Sequence, residues 1–376
     1  MKDDDLSVTI MACGDVGPVY EPTDEFAELI APVLKQADIR FGQCERTYSE
    51  RGEPPQFNQG PGGNHSRVHP RLASVWDVAG FDVISLASNH AMDWGPDPVV
   101  DTIELFQKRG RYVVGAGRDE AEARKPAIVE RNGLKIAFLA YCSVLRDGQA
   151  AGKGKVGIAP MRAHTYYSPE EFQPGVPPKI ITEPYKDDLA AMQEDIRKAK
   201  AAADVVIMSI HWGLRIIPKT ISLYQPVVAH AAIDAGVDLI LGHHAHSIKA
   251  IEIYKGKTCF YSIGNFMTTG APKPKSSFVE WNLNWFDIDA ECMPPNGRYF
   301  FPSHCRKTMI PKITVGRKGV ERVAFIPVFI NNRAQPYRLA PDDPRFKDVV
   351  DFTEWVSSAH AHKFTVVGDE VLVEAP

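Results

Sequence analysis

At 376 residues, with 44% hydrophobic and 24% charged side chains, the chain can bury a large globular core, as one large α/β domain or as two smaller ones. The formal net charge of −4, without any run of Lys or Arg, excludes the basic footprint of a nucleic-acid binder, and no apolar stretch nears the roughly 20 residues that cross a bilayer. Six cysteines (13, 44, 142, 259, 292, 305) form no CxxC pair, which argues for buried thiols in a reducing compartment and against a disulfide framework or a zinc cluster.

The acidic start Met1-Lys2-Asp3-Asp4-Asp5 leads straight into an apolar strand and lacks the basic and apolar regions of a secretory signal, so a cytoplasmic location is expected. That strand, Val8 to Cys13, ends in Gly14-Asp15; a second, Ile39 to Cys44, ends in Glu45. Pro70 opens a helix with Leu72, Val75, Trp76 and Ala79 on one face, closed by Gly80. The next β-branched run stops at Ser88-Asn89-His90, and Pro96 then opens a helix bearing Val99, Ile103 and Phe106, closed by Gly110. Strands are expected at Tyr112 to Val114, Ala127 to Glu130 and Lys135 to Tyr141, the last two joined by the turn pair Asn132-Gly133. Leu189, Met192, Ile196 and Ala199 mark a helix before the run that stops at His211-Trp212-Gly213. Leu223, Val227 and Ala231 mark another before the run that stops at Gly242-His243-His244-Ala245-His246. Strands follow at Ala250 to Tyr254 and Thr258 to Ser262, and strands near Lys312 to Val315 and Val323 to Val328 with a helix around Phe346 to Ser357 complete the same fold.

Alternating helices and strands imply parallel strands with crossover helices. The expected organisation is a single domain over 1–376, with a core of about 7–335, loop insertions at 51–66, 144–182 and 268–304, and a C-terminal extension at 336–376. The first insertion leaves from just after Glu45; a substrate-facing role and a surface loop are equally compatible with its turn-rich composition.

In an open α/β sheet, strand carboxyl ends share the edge where ligands bind. Five strands therefore aim Asp15, Glu45, Asn89, His211 and the His243-His244-Ala245-His246 segment at one place. Packing gives no reason to set three imidazoles within four positions, whereas metal coordination does, and an extended chain would put His244 and His246 on the same side. Taken singly, Asn89-His90 also fits a capped turn and His211 a buried, hydrogen-bonded histidine. Carboxylate, amide and imidazole donors without thiolate favour Mn, Fe or Zn, and six or seven ligands imply two divalent metal ions. A free imidazole at His90 could shuttle protons at neutral pH.

Together, Gly14-Asp15-Val16, Ser85-Leu86-Ala87-Ser88-Asn89-His90 with Asp93 and Gly95, Gly115-Ala116-Gly117 leading to Ala123-Arg124-Lys125-Pro126, His211-Trp212-Gly213, Gly242-His243-His244-Ala245-His246 and Tyr261-Ser262-Ile263-Gly264-Asn265-Phe266 resemble the capsule-synthesis CapA family. Its members are also described as poly-γ-glutamate biosynthesis proteins, within the calcineurin-like metallophosphoesterase superfamily. The resemblance runs from about Val8 to Phe266. It implies a four-layer α/β/β/α metallophosphatase-like sandwich with a dinuclear metal site at the strand C-terminal ends. Carried over by motif, Asp15, Glu45, Asn89, His211, His244 and His246 are the implied metal ligands, His90 the general acid and Asp93 its orienting carboxylate. The chain departs from the superfamily pattern where Asp15-Val16-Gly17 stands for the usual Asp-x-His, and from the family's frequent Asn-Leu-Glu at Gln43-Cys44-Glu45.

The expected activity is hydrolysis of a small, anionic or short peptide-like substrate by a metal-bridged hydroxide, at a phosphoester, amide or lactone bond. Arg46, Arg118, Arg215 and His243 are the candidate substrate-binding residues, each arginine also fitting a solvated surface charge. The alternative is a non-catalytic, accessory component of poly-γ-glutamate or capsule biosynthesis. Neither nucleic acid nor membrane is expected as a partner.

Overall fold

The computed structural model describes residues 7–53, 66–169, 171, 174–269, 298–299 and 301–376. Strands β1 (Ser7–Gly17), β2 (Ile39–Cys44), β3 (Val83–Ser85) and β4 (Tyr112–Val114) pair in parallel, side by side. The chain then builds a second sheet from β5 (Ala127–Arg131), β6 (Leu134–Cys142), β7 (Val205–His211), β8 (Leu239–His243), β9 (Ile251–Tyr254) and β10 (Lys257–Phe260). It returns to the first sheet through β11 (Asn265–Thr268), β12 (Lys307–Gly316), β13 (Gly319–Ile330), β14 (Pro336–Arg338), β15 (Lys363–Val367) and β16 (Glu370–Glu374). The strand orders are β15-β16-β13-β12-β1-β2-β3-β4, with β11 beside β1 and β14 beside β13, and β9-β10-β8-β7-β6-β5.

Helices α1 (Ser74–Ala79), α2 (Pro96–Lys108), α3 (Lys186–Ala202), α4 (Tyr224–Ala235) and α5 (Pro344–Ser357) form where apolar residues recur at helical spacing. Gly80, at φ 74°, ends α1 in the left-handed conformation that suits a residue without Cβ.

The layers follow from period-2 alternation. On β6, β7 and β8, Ile136, Phe138, Val205, Ile207, Leu239 and Leu241 join the core between the sheets. Their neighbours Ala137, Leu139, Val206, Met208, Ile210 and Ile240 pack with Met192 and Ile196 of α3 and Val228 and Ala232 of α4. Strands covered on both faces read as continuous apolar runs, as these do. Phe41 of β2 stacks on Phe138 of β6 at 5.9 Å, joining the two sheets. The adjacent Gly42 faces the other way, where a Cβ would come within 2.8 Å of the Trp76 ring on α1. The order is thus helix, sheet, sheet, helix, as the sequence led us to expect.

Two expectations change. Leu223 and Val227 are exposed (53% and 49%), and α4 buries Gln225, Val228, Ala229, Ala232 and Ile233 instead. This helix is apolar nearly all round, so its sequence left the phase of the buried face open. Segment 144–182 is not wholly irregular: Ala163–Ser168 and Lys179–Pro184 form a hairpin, pairing Tyr166 with Ile181. Segment 336–376 completes the first sheet with β14, β15 and β16. Of the other two insertions, 54–65 and 270–297 lie outside the described residues, and with them the substrate-facing role expected of the first. Asn132 and Gly133 turn as expected, with φ of 51° and 75°.

Candidate metal centre

Asp15 sits where β1 changes partners. Up to Met11 the strand pairs antiparallel with β12; from Asp15 it pairs in parallel with β11, opposite Asn265. Register shifts flank Asp15 on both sides. The close approach depends on Gly14, because a Cβ there would stand 1.9 Å from the Gly264 carbonyl oxygen. Glu45 follows β2, Asn89 follows β3, His211 ends β7, and His243, His244 and His246 end or follow β8. His244 and His246 have φ of 83° and 56°, so the chain is not extended there; two left-handed residues bring the imidazoles to the cluster. Such conformations cost energy for non-glycine residues and concentrate at functional sites.

The structure brings all six expected ligands together. Asp15 Oδ2 lies 3.3 Å from His246 Nδ1; Glu45 Oε1 lies 3.9 Å from His246 Nε2 and 3.6 Å from His211 Nε2. His211 Nε2 is 2.8 Å from Asn89 Oδ1 and 3.1 Å from His244 Nδ1. Donor atoms of Asp15, Glu45 and His211 all fall within 4.8 Å of one another. Donors held at about 2.1 Å by one ion stand about 3 Å apart, so this spacing suits shared coordination.

The electrostatics fit a metal better than a purely structural cluster. Both Asp15 oxygens and Glu45 Oε1 are buried without a hydrogen-bond partner, a costly state that a cation would relieve. Burial pushes the Asp15 carboxyl up to about 8, opposed by the nearby backbone N–H of His244, which lies outside hydrogen-bond geometry, and by Arg46. Glu45 is raised by burial and by the charge of Asp15. Burial holds His211 and His244 well below the usual imidazole range and lowers His246 to about 4. The imidazoles are therefore neutral at pH 7, the form that binds metal.

His90 Nδ1 is 2.7 Å from Asp93 Oδ2, and the imidazole is close enough for its charge to act on Glu45, His211, His244 and His246. With Nδ1 engaged and a quarter of the side chain exposed, its Nε2 is the atom left for a substrate.

The expected substrate-binding residues divide. Arg215 is exposed, and its charge reaches Glu45, His244 and His246. Arg46 is not a surface charge: it is buried, donating from Nε to Gly17 O (3.2 Å) and from Nη2 to Thr269 O (2.9 Å). Arg118 is not brought to the cluster; its guanidinium pairs with Glu104 (2.8 Å) and Glu122 (2.7 Å) at the surface. His243 is fully buried, 6.0 Å from the Phe41 ring and 3.9 Å from Asp15 Oδ1, beneath the cluster and out of a substrate's reach. Its place on the last residue of β8 turns it into the sandwich. Sequence reasoning missed Asn265, whose Oδ1 is 2.8 Å from His246 Nδ1, and Arg146, whose Nη1 is 4.0 Å from Asp93 Oδ1. Asn265 carried a signal, since it starts a strand within a quoted motif; Arg146 carried none. Arg146 also lines a cleft of about 130 Å³ with Ser143, Arg162 and Tyr185.

The fold and cluster define a four-layer α/β/β/α protein with a buried carboxylate–imidazole centre where the two sheets' strand ends meet. The chain belongs to the bacterial capsule synthesis protein family PGA_cap, whose model matches residues 9–269. It is similar to the PGA biosynthesis protein CapA of Bacillus subtilis (strain 168), 31% identical over 247 residues, covering 65% of this chain and 57% of that protein. It is similar also to a probable polyglutamine synthesis accessory protein of Mycobacterium tuberculosis (strain H37Rv), 30% identical over 204 residues, covering 53% and 48%. The chain thus spans about half the length of these curated relatives. A looser structural likeness, TM-score 0.39 at 14% identity over 93% of this chain and 99% of the other, is to the calcineurin-like phosphoesterase YfkN from Bacillus subtilis. The layering rests on the strand pairings above and not on that superposition. Among the described residues no helix is long and apolar enough to cross a membrane.

Proposed function

We propose that the chain is a metal-dependent hydrolase acting on a small anionic or short peptide-like substrate. The observation that carries this reading is the trio Asp15, Glu45 and His211, buried, mutually within 4.8 Å, with orphaned carboxylate oxygens. Asp15, Glu45, Asn89, His211, His244 and His246 would hold two divalent ions, Mn, Fe or Zn. Bound there, the ions supply Lewis acidity and lower the pKa of water. The protein's own part is then to place a substrate and move a proton. His90, held by Asp93 through Nδ1, donates from Nε2 to the departing group, and the positive charge of Arg215, which reaches the cluster, draws an anionic substrate toward it. The bond cleaved is a phosphoester, an amide or a lactone.

Metal analysis of the purified protein, followed by turnover of phosphoester, amide and lactone substrates with and without chelator, tests this. His90→Ala should lower turnover about 10²–10⁴-fold while metal content stays unchanged. Survival of both metal and turnover in that variant would remove the acid role. A second reading, an accessory component of poly-γ-glutamate or capsule biosynthesis, is favoured by the names of the relatives, a PGA biosynthesis protein in Bacillus subtilis and a probable polyglutamine synthesis accessory protein in Mycobacterium tuberculosis. Stoichiometric metal with no turnover of any substrate class would select it.

A further inference from the structure

We infer that Asn265 and Tyr299 are positioning residues that fix the tautomer of His246, leaving its Nε2 lone pair directed into the cluster; this rests on the metal-centre reading above. The polarity of the chain of hydrogen bonds can be worked out from one end. The Tyr299 hydroxyl is bonded to the backbone carbonyl oxygen of Cys305, which can only accept, so the phenolic proton is spent there. The Tyr299 oxygen, 2.8 Å from Asn265 Nδ2, must then accept, and the Asn265 amide nitrogen donates to it. That turns Asn265 Oδ1 toward His246 Nδ1 at 2.8 Å, and because Oδ1 only accepts, Nδ1 carries the proton. Asp15 Oδ2 stands 3.3 Å from the same nitrogen but outside hydrogen-bond geometry, so Asn265 alone performs this function. A neutral imidazole protonated at Nδ1 has its lone pair on Nε2, the atom 3.9 Å from Glu45 Oε1.

The relay is rigid. Asn265 and Tyr299 are fully buried, and Phe301 packs on His246 (4.6 Å between centroids) and on Tyr299 (5.3 Å), closing the imidazole from behind. Asn265 is also held in register opposite Asp15, whose backbone N–H donates to the carbonyl oxygen of the preceding Gly264 (3.2 Å), so the strand that carries Asn265 is tied to the strand that carries Asp15. Partners behind a metal-binding imidazole commonly set its orientation and change affinity about 10–100-fold when removed.

Nitrogen-15 NMR of the histidine rings in metal-free protein at pH 7, together with titration by Mn²⁺ and Zn²⁺, tests the assignment. Wild type should show His246 protonated at Nδ1. Asn265→Ala should give a mixture of tautomers and weaken metal binding about 10–100-fold. Tyr299→Phe, a smaller change that protects against a failure to fold, should free the amide to rotate and weaken binding by about tenfold. Asn265→Asp, which keeps the acceptor, should retain the Nδ1–H form. His246 protonated at Nε2 in the wild type, or an unchanged ring and unchanged affinity in both Asn265→Ala and Tyr299→Phe, would overturn the relay. Because the tautomer is read without metal or substrate, that result stands apart from any failure of the hydrolase reading.

Discussion

A carboxylate sealed from water with both oxygens unpaired opposes folding, and Asp15 is in that position. Its folded value of about 8 lies above the ordinary 3.8, so the folded state holds a proton that the unfolded chain releases. The associated stability is complete below about pH 4 and is lost as pH rises through 8. Asp15→Asn keeps the shape and removes the titration. Melting of metal-free protein should therefore show the variant gaining on wild type as pH rises from about 4 toward 8. The same substitution should abolish divalent-metal stabilisation. A stability difference that does not change with pH would show that Asp15 does not titrate in this range. The neighbouring imidazoles run the other way: with His246 lowered to about 4, their contribution fades as pH falls from 6.5.

Whole strands, more than single side chains, set the approach of Asp15 to His246. β1 lies against β11 at a separation only glycine tolerates, and the two register shifts around Asp15 let one strand serve two partners. Gly14→Ala forces these strands apart, at a cost of about 1–3 kcal/mol for an overpacked contact. Gly110→Ala is the control: it meets a left-handed backbone, at φ 73°, which Gly14 does not have, but its Cβ would enter open space. Calorimetry with metal titration should find that Gly110→Ala loses stability yet binds metal normally, whereas Gly14→Ala loses both. Normal metal affinity in Gly14→Ala would mean that the strand contact does not position the cluster.

Across the molecule, the cluster draws donors from both sheets: Asp15, Glu45 and Asn89 from strand ends of the first, His211, His244 and His246 from those of the second. A bound ion would join the two halves of the sandwich. Saturation at about 100 times the dissociation constant should add about 2.7 kcal/mol, reversed by chelator. Hydrogen exchange should slow in β1 and β2 as well as in β7 and β8. Protection confined to the loop after β8 would rule out a clasp between sheets.

Sequence alone determined the alternation of elements, the closing of α1 by Gly80 and the opening of α2 by Pro96, the hairpin at Asn132-Gly133 and the gathering of Asp15, Glu45, Asn89, His211, His244 and His246 at strand ends, because periodicity and strand polarity are local properties; Pro70 opens a 3-10 turn, Pro70–Ala73, ahead of α1. The tertiary structure decided the buried face of α4, where an almost uniformly apolar helix has no phase to read, and the fates of Arg46, Arg118 and His243. Their types suit an anion, but only packing put Arg46 under the Gly17 and Thr269 carbonyls, Arg118 between Glu104 and Glu122, and His243 against Phe41. The support of His246 by Asn265 and Tyr299 was hidden for the same reason. A hydrogen bond between residues 34 positions apart leaves no trace in composition or spacing.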